Sequence, residues 1–163
     1  MTSYDLQSNP NYVFGHSKEK EAQHIICRVN DVSVVKEQDN SNYWNMLYDF
    51  KTSDGLKYEV KANKKSTQYK TFYIETMQSV NDGPFKKSGL LIAKSHYWMF
   101  WHGDVFYKIQ QVWLKRLIKE NKRVYKSSSA TPNHTNKTKG IIVPVKDVEE
   151  LSIVYRISDY HDA

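Results

Sequence analysis

Residues 97–109, YWMFWHGDVFYKI, constrain the fold more than any other stretch of the chain. Tyr97-Trp98-Met99-Phe100-Trp101 carries no polar alternation, and His102-Gly103-Asp104 is a turn signal ahead of Val105-Phe106-Tyr107-Lys108-Ile109. The pattern predicts two strands joined by a tight turn, one of them buried on both faces and therefore inside a covered sheet. Two helices are available to cover it. After Ser17, a predicted N-cap, Ala22, Ile25, Ile26 and Val29 fall on one stripe. Over about 110–121, Val112, Leu114, Leu117 and Ile118 alternate with Lys and Arg in an amphipathic pattern. The expected class is α/β: a mixed central sheet of five or six strands flanked by these helices.

The remaining elements are more weakly marked. VSVVK at 32–36 reads as a strand, and 38–42 as the loop after it. Asn81-Asp82-Gly83-Pro84 is a strong breaker, and 85–96 is a loop or a short helix. Residues 126–139, rich in Ser, Thr and Asn, read as a surface loop. Gly140–Val145 is a late strand, with Pro144 putting it at an edge or a strand end. Residues 149–157 give one last element, helix or strand. At 163 residues the chain makes one domain, expected over 17–163, behind a polar, turn-rich arm at 1–16. No apolar run approaches membrane-spanning length and no secretory signal is visible. Cys27 stands alone, so no internal disulfide forms, which fits a reducing cytoplasm. It is expected to be a packed side chain rather than a nucleophile.

Chemistry concentrates between residues 49 and 75. Asp49 closes an aromatic run (Tyr43, Trp44, Tyr48) that reads as a strand, and Asp54-Gly55 is a turn signal between two β-prone runs. On the second run, alternation sends Glu59 and Lys61 to one face and Tyr58, Val60 and Ala62 to the other. Glu75 sits on a third β-prone run, KTFYIETM. Neighbouring strands of a twisted sheet would bring Asp49, Glu59 and Lys61 to one point, with Glu75 beside them. Carboxylates with one lysine form an oxygen-rich site for a hard divalent cation such as Mg²⁺. Glu and Lys also alternate on the wet face of many strands; the upstream Asp49, the turn and the Ile74-Glu75 strand give the pair its significance.

The arrangement Asp-x(9)-Glu-x-Lys resembles the PD-(D/E)XK nuclease superfamily. The resemblance implies a restriction-endonuclease-like core, with Asp49 and Glu59 as the metal-binding acids and Lys61 as the catalytic lysine. Tyr48 stands where the family often has proline. Glu75 matches the Ile-Glu strand of small phage members and is a further polar group near the metal. The family often carries a Glu on an N-terminal helix; Glu19 and Glu21 are the candidates, with Glu19 closer to the apolar stripe. SGLLIAKSHYW is similar to a phage segment, with Ala93 and His96 replacing the expected Thr and Asp. The implied activity is metal-dependent hydrolysis of phosphodiester bonds in DNA with Mg²⁺ or Mn²⁺, in the cytoplasm of a host cell if the source is viral.

The charge distribution is compatible with that partner. The net charge is +6, with lysines clustered around the motif and over 115–126 and acids gathered in 147–162. Lys64, Lys65, Lys70 and Lys94 are the expected contacts to a nucleic-acid backbone. Exposed aromatics of the 97–101 run would stack on unpaired bases, but the lack of polar alternation favours the core. The alternative is a factor on the same fold that binds nucleic acid or protein without turnover. The partner is DNA, no membrane is expected, and a homodimer is compatible with the reading.

Overall fold

A computed structural model describes residues 9–38, 47–120, 124–128 and 136–161. Its centre is a six-stranded mixed sheet flanked by helices. In chain order come helix α1 (Pro10–Asn30), strands β1 (Val34–Glu37), β2 (Phe50–Thr52) and β3 (Lys57–Ala62), and helix α2 (Lys65–Tyr69). Strands β4 (Thr71–Ser79) and β5 (Lys86–Lys87) lead through a 3-10 turn at Gly89–Leu91 to β6 (Tyr97–His102) and β7 (Val105–Gln110). Helix α3 (Gln111–Glu120), β8 (Val124–Ser128), β9 (Lys137–Pro144), α4 (Val145–Glu150) and β10 (Ile153–Arg156) follow. The central sheet runs β1-β2-β3-β6-β7-β10, and a second sheet runs β5-β4-β9-β8. Among the described strands, only the β3–β6 pair is parallel. No helix among the described residues is long and apolar enough to cross a membrane.

Strand β6 carries out what its composition demands. Trp98 and Phe100 enter one apolar cluster while Met99 and Trp101 enter another on the opposite face. Gly103, at φ +65°, makes the turn to β7, a conformation that costs glycine nothing. On one face Ala22, Ile25 and Ile26 of α1 pack against Phe50, Tyr58, Met99 and Phe106. On the other, Leu114, Leu117 and Ile118 of α3 join Phe72, Ile74 and Val143 of the second sheet. Each buried Ile, Leu or Phe side chain contributes about 1.5–3 kcal/mol by leaving water.

Several elements depart from expectation. Helix α1 starts at Pro10, not after Ser17: the Asn9 side chain accepts from the N–H of Asn11 at 2.9 Å and of Tyr12 at 3.4 Å, and Pro10 fits the first turn. Residues 10–16 are therefore helix rather than arm. The run holding Ile74 and Glu75 does not join the central sheet; it is the long strand of the second one. Residues 126–128 and 137–139 are paired strands, not loop. Residues 65–69 form a short helix, and 85–96 hold a two-residue strand and the 3-10 turn. Pro144 ends β9, and the last expected element resolves into α4 followed by β10. Tyr43 and Trp44 lie outside the described residues, and Tyr48 and Asp49 form a bend just before β2.

Candidate active site

Asp49 is locked by its backbone before its side chain does anything. Its N–H donates to the Tyr58 carbonyl and its own carbonyl accepts from Gln38 N–H, each at 2.8 Å. The β2–β3 hairpin registers Phe50 against Tyr58, and Gly55 at φ +85° closes the turn. That register aims the Asp49 carboxylate across β3, where Oδ2 accepts from the Val60 N–H at 2.7 Å. Along β3, Tyr58, Val60 and Ala62 belong to the α1-side cluster. Alternation then turns Glu59 and Lys61 the other way, where Lys61 Nζ stands 3.2 Å from Glu59 Oε1.

Two other elements add acids to the enclosure. Asp49, Glu59 and Lys61 line one cleft of about 430 Å³, together with Glu19 from α1 and Glu75 from β4. Glu75 is positioned by two glycines. A bulge breaks the β4–β9 register between Glu75 and Met77, and Gly140 pairs with Glu75 across the ladder. A Cβ on Gly140 would lie 2.5 Å from the Ile74 carbonyl oxygen and 2.6 Å from the Tyr73 ring. Gly89, at φ +52°, presses from the other side, where a Cβ would come within 2.2 Å of the Glu75 carbonyl oxygen.

The electrostatics are those of crowded acids. Asp49 is only 8% exposed. Burial, then the negative charges of Glu59 and Glu19, push its carboxyl well above the ordinary range, against the opposing pull of Lys61. Burial pushes Glu19 up to about 7; Lys20 opposes the shift, and Glu59 and Glu37 add to it. Burial alone would lower the Lys61 ammonium, but the carboxylates of Glu59, Asp49 and Glu75 overcome it, so it titrates above its usual range. The Lys61 side chain keeps 48% of its surface open, so it is charged and crowded by protein yet reachable from the cleft.

These residues fit a hard divalent cation in donor type, since the cleft gathers carboxylate oxygens around a single lysine. Among the described residues, no group of three or more His, Cys, Asp or Glu side chains stands close enough to hold a metal ion. Mg²⁺ needs less than that, since it usually keeps several waters and takes one or two carboxylates plus phosphate oxygens. Asp49 and Glu59, which both line the cleft, are the two carboxylates that would serve.

The expected phosphate contacts are more dispersed. Lys65 lines a smaller pocket of about 160 Å³ that shares Lys61 with the main cleft. Lys64 Nζ sits 4.7 Å over the Phe14 ring. Lys70 ends α2 at φ +54°, its carbonyl accepting from Val145 N–H, and Lys94 N–H donates to the Leu47 carbonyl. Glu21 pairs with Lys18 at 2.9 Å, away from the cleft lining, which leaves Glu19 as the acid that α1 brings to the site. His96 Nδ1 accepts from the Lys57 N–H, a structural role. Burial raises the Cys27 thiol, consistent with a packed side chain.

Sequence reasoning missed Tyr12 and His16, which line the cleft ahead of Glu19 on α1. Their spacing (12, 16, 19) is one helical face, and Asn9-Pro10 is the start signal that would have revealed it. Comparison with family models and with curated proteins finds no match to this chain.

Proposed function

We propose that this protein is a metal-dependent nuclease that hydrolyses phosphodiester bonds in DNA, with a site similar to that of phage PD-(D/E)XK endonucleases. The observation that carries the reading is the convergence of Asp49, Glu59 and Lys61, with Glu19 and Glu75, on one cleft. Glu59 and Lys61 alternating on a solvated strand would not require a buried Asp49 bonded back to the same strand.

In this reading Asp49 and Glu59 would hold Mg²⁺ or Mn²⁺. A bound ion of this kind polarises the phosphate and acidifies a water. Lys61 keeps its proton and donates from Nζ, orienting the attacking water and facing the charge that grows on the phosphoryl oxygens. The Val60 N–H, donating to Oδ2 at 2.7 Å, orients the Asp49 carboxylate. Glu75 adds a polar wall from β4.

Incubation with plasmid and branched DNA, in Mg²⁺, in Mn²⁺ and in EDTA, tests the proposal. Cleavage in either metal and none in EDTA is expected. Binding without cleavage under all three conditions would leave the non-catalytic binding factor as the reading.

A further inference from the structure

Large exposed aromatics are few, and their placement is uneven. Among the described residues they are Tyr12, Tyr69 and Trp113. Trp113, 40% exposed on α3 with the Arg116 guanidinium carbon 5.3 Å from its ring centroid, lines neither the main cleft nor the pocket that shares Lys61 with it. The other two lie on either side of Lys61: Tyr12 lines the main cleft and Tyr69 the adjoining pocket, and Lys61 lines both. Tyr12 is 36% exposed and Tyr69 62%.

Tyr12 is also presented with order. Its ring lies 9° from parallel with that of His16, with centroids 6.0 Å apart. Both project from the capped N-terminal half of α1 on the face that carries Glu19. Tyr69 follows Lys65 by one helical turn on α2, so a flat apolar surface again stands beside a cation. Such alternation of cations with open aromatic faces matches a polynucleotide whose bases are free to leave their own stack. A paired duplex keeps its bases stacked on each other and has no face to offer.

We propose that the groove through Lys61 takes an unpaired DNA strand, its bases stacking on Tyr12 and His16 at one end and on Tyr69 at the other, its phosphates passing Lys61 and Lys65. This rests on the nuclease reading of the cleft and narrows its substrate to single-stranded DNA or the unpaired part of a branched molecule.

The test is binding in EDTA, where no turnover occurs, with a fluorescent single-stranded oligonucleotide, the matching duplex, and a strand carrying 2-aminopurine. The protein is expected to bind the single strand more tightly than the duplex and to quench the 2-aminopurine. Tyr12→Leu and Tyr69→Leu should each weaken single-strand binding roughly tenfold or more and relieve the quenching, while Tyr12→Phe retains both. Circular dichroism melts of each variant verify folding. Equal or tighter binding of duplex, or unchanged binding by folded Leu variants, overturns the proposal. A parallel assay in Mg²⁺ separates the two readings. If the protein stacks and binds single strands without cutting, stacking stands and the nuclease reading fails. If it cuts duplex and Tyr12→Leu changes nothing, the reverse holds.

Discussion

Lys61 Nζ stands 3.2 Å from Glu59 Oε1, and the carboxylates of Glu59, Asp49 and Glu75 together keep it charged despite its burial. Lys61→Ala should leave the fold intact, because the side chain is half open and sits outside both cores. On the nuclease reading it should lower cleavage by about a hundredfold or more at saturating DNA, since the ammonium would serve the transition state. Single-turnover kinetics measure this; a wild-type rate would place the chemistry elsewhere. Glu59→Gln keeps the side chain's shape and deletes one charge. It should abolish metal-dependent cleavage while DNA affinity in EDTA holds or rises, and calorimetric titration should lose the heat of Mg²⁺ binding.

Crowding also gives a stability signature. Glu19 titrates near 7 in the folded protein against 4.5 ordinarily, so between those values the folded state holds a proton that the unfolded chain has released. Stability contributed by this group therefore falls as pH rises from about 4.5 to about 7, and the raised Asp49 acts in the same direction. Glu19→Gln, permanently neutral, should flatten that slope and stabilise the protein at pH 8 in EDTA by ~1–3 kcal/mol. Urea unfolding of both proteins at pH 5 and pH 8 checks it; equal slopes would mean the acids are not crowded.

Elements with a one-sided or two-sided apolar pattern were legible, and elements without one were not. The β6–β7 hairpin, the β2–β3 turn and α3 appear where their patterns put them. Strands β8 and β9 carry Lys, Ser and Thr at 126–128 and 137–139, a composition with no apolar period, so it reads as loop although the backbones pair. The loop holding Gly89 looked ordinary because its constraint comes from a distant strand. Gly89→Ala combines a left-handed backbone with a clash on a carbonyl oxygen, so it should cost more than ~2 kcal/mol and disturb Glu75. Gly15, in the middle of α1, has nothing within 4 Å of the Cβ position. Gly15→Ala should raise stability by about 0.5–1 kcal/mol. Thermal melts of the pair should move in opposite directions, and a neutral Gly89→Ala would remove the two-glycine account of Glu75.

At the scale of the whole molecule, the acid-x-lysine strand was readable but the enclosure was not. Residues 49, 59 and 61 share one hairpin, so local turn chemistry announces their proximity. Glu75 arrives on a separate sheet, and Glu19 on a helix whose start lies ahead of the expected one; only tertiary packing brings them in. The lysines are spread along the flanks rather than gathered in the cleft. DNA affinity should therefore fall steeply with salt, the logarithm of the binding constant declining linearly with that of salt concentration. Affinity flat between 50 and 200 mM salt (roughly the range in which counterion release dominates) would remove the phosphate contacts from the account.

Helix α1 carries Glu19, yet its buried face is closed by some of the most distant residues in the chain. Tyr155 and Ile157 pack in its apolar cluster, and the Tyr160 carbonyl hydrogen-bonds His24 Nε2 at 3.0 Å and Arg28 Nη1 at 3.3 Å. On a ribosome the chain emerges in order, so α1 leaves the tunnel long before the residues that seat it. A nascent chain exposed only through β7 would already own Asp49, Glu59 and Lys61 but could not fix Glu19 against them. The wall of the cleft that α1 supplies is thereby the last to be fixed during translation. In stalled nascent chains of increasing length, α1 should become protected from proteolysis only once residue 160 has cleared the exit.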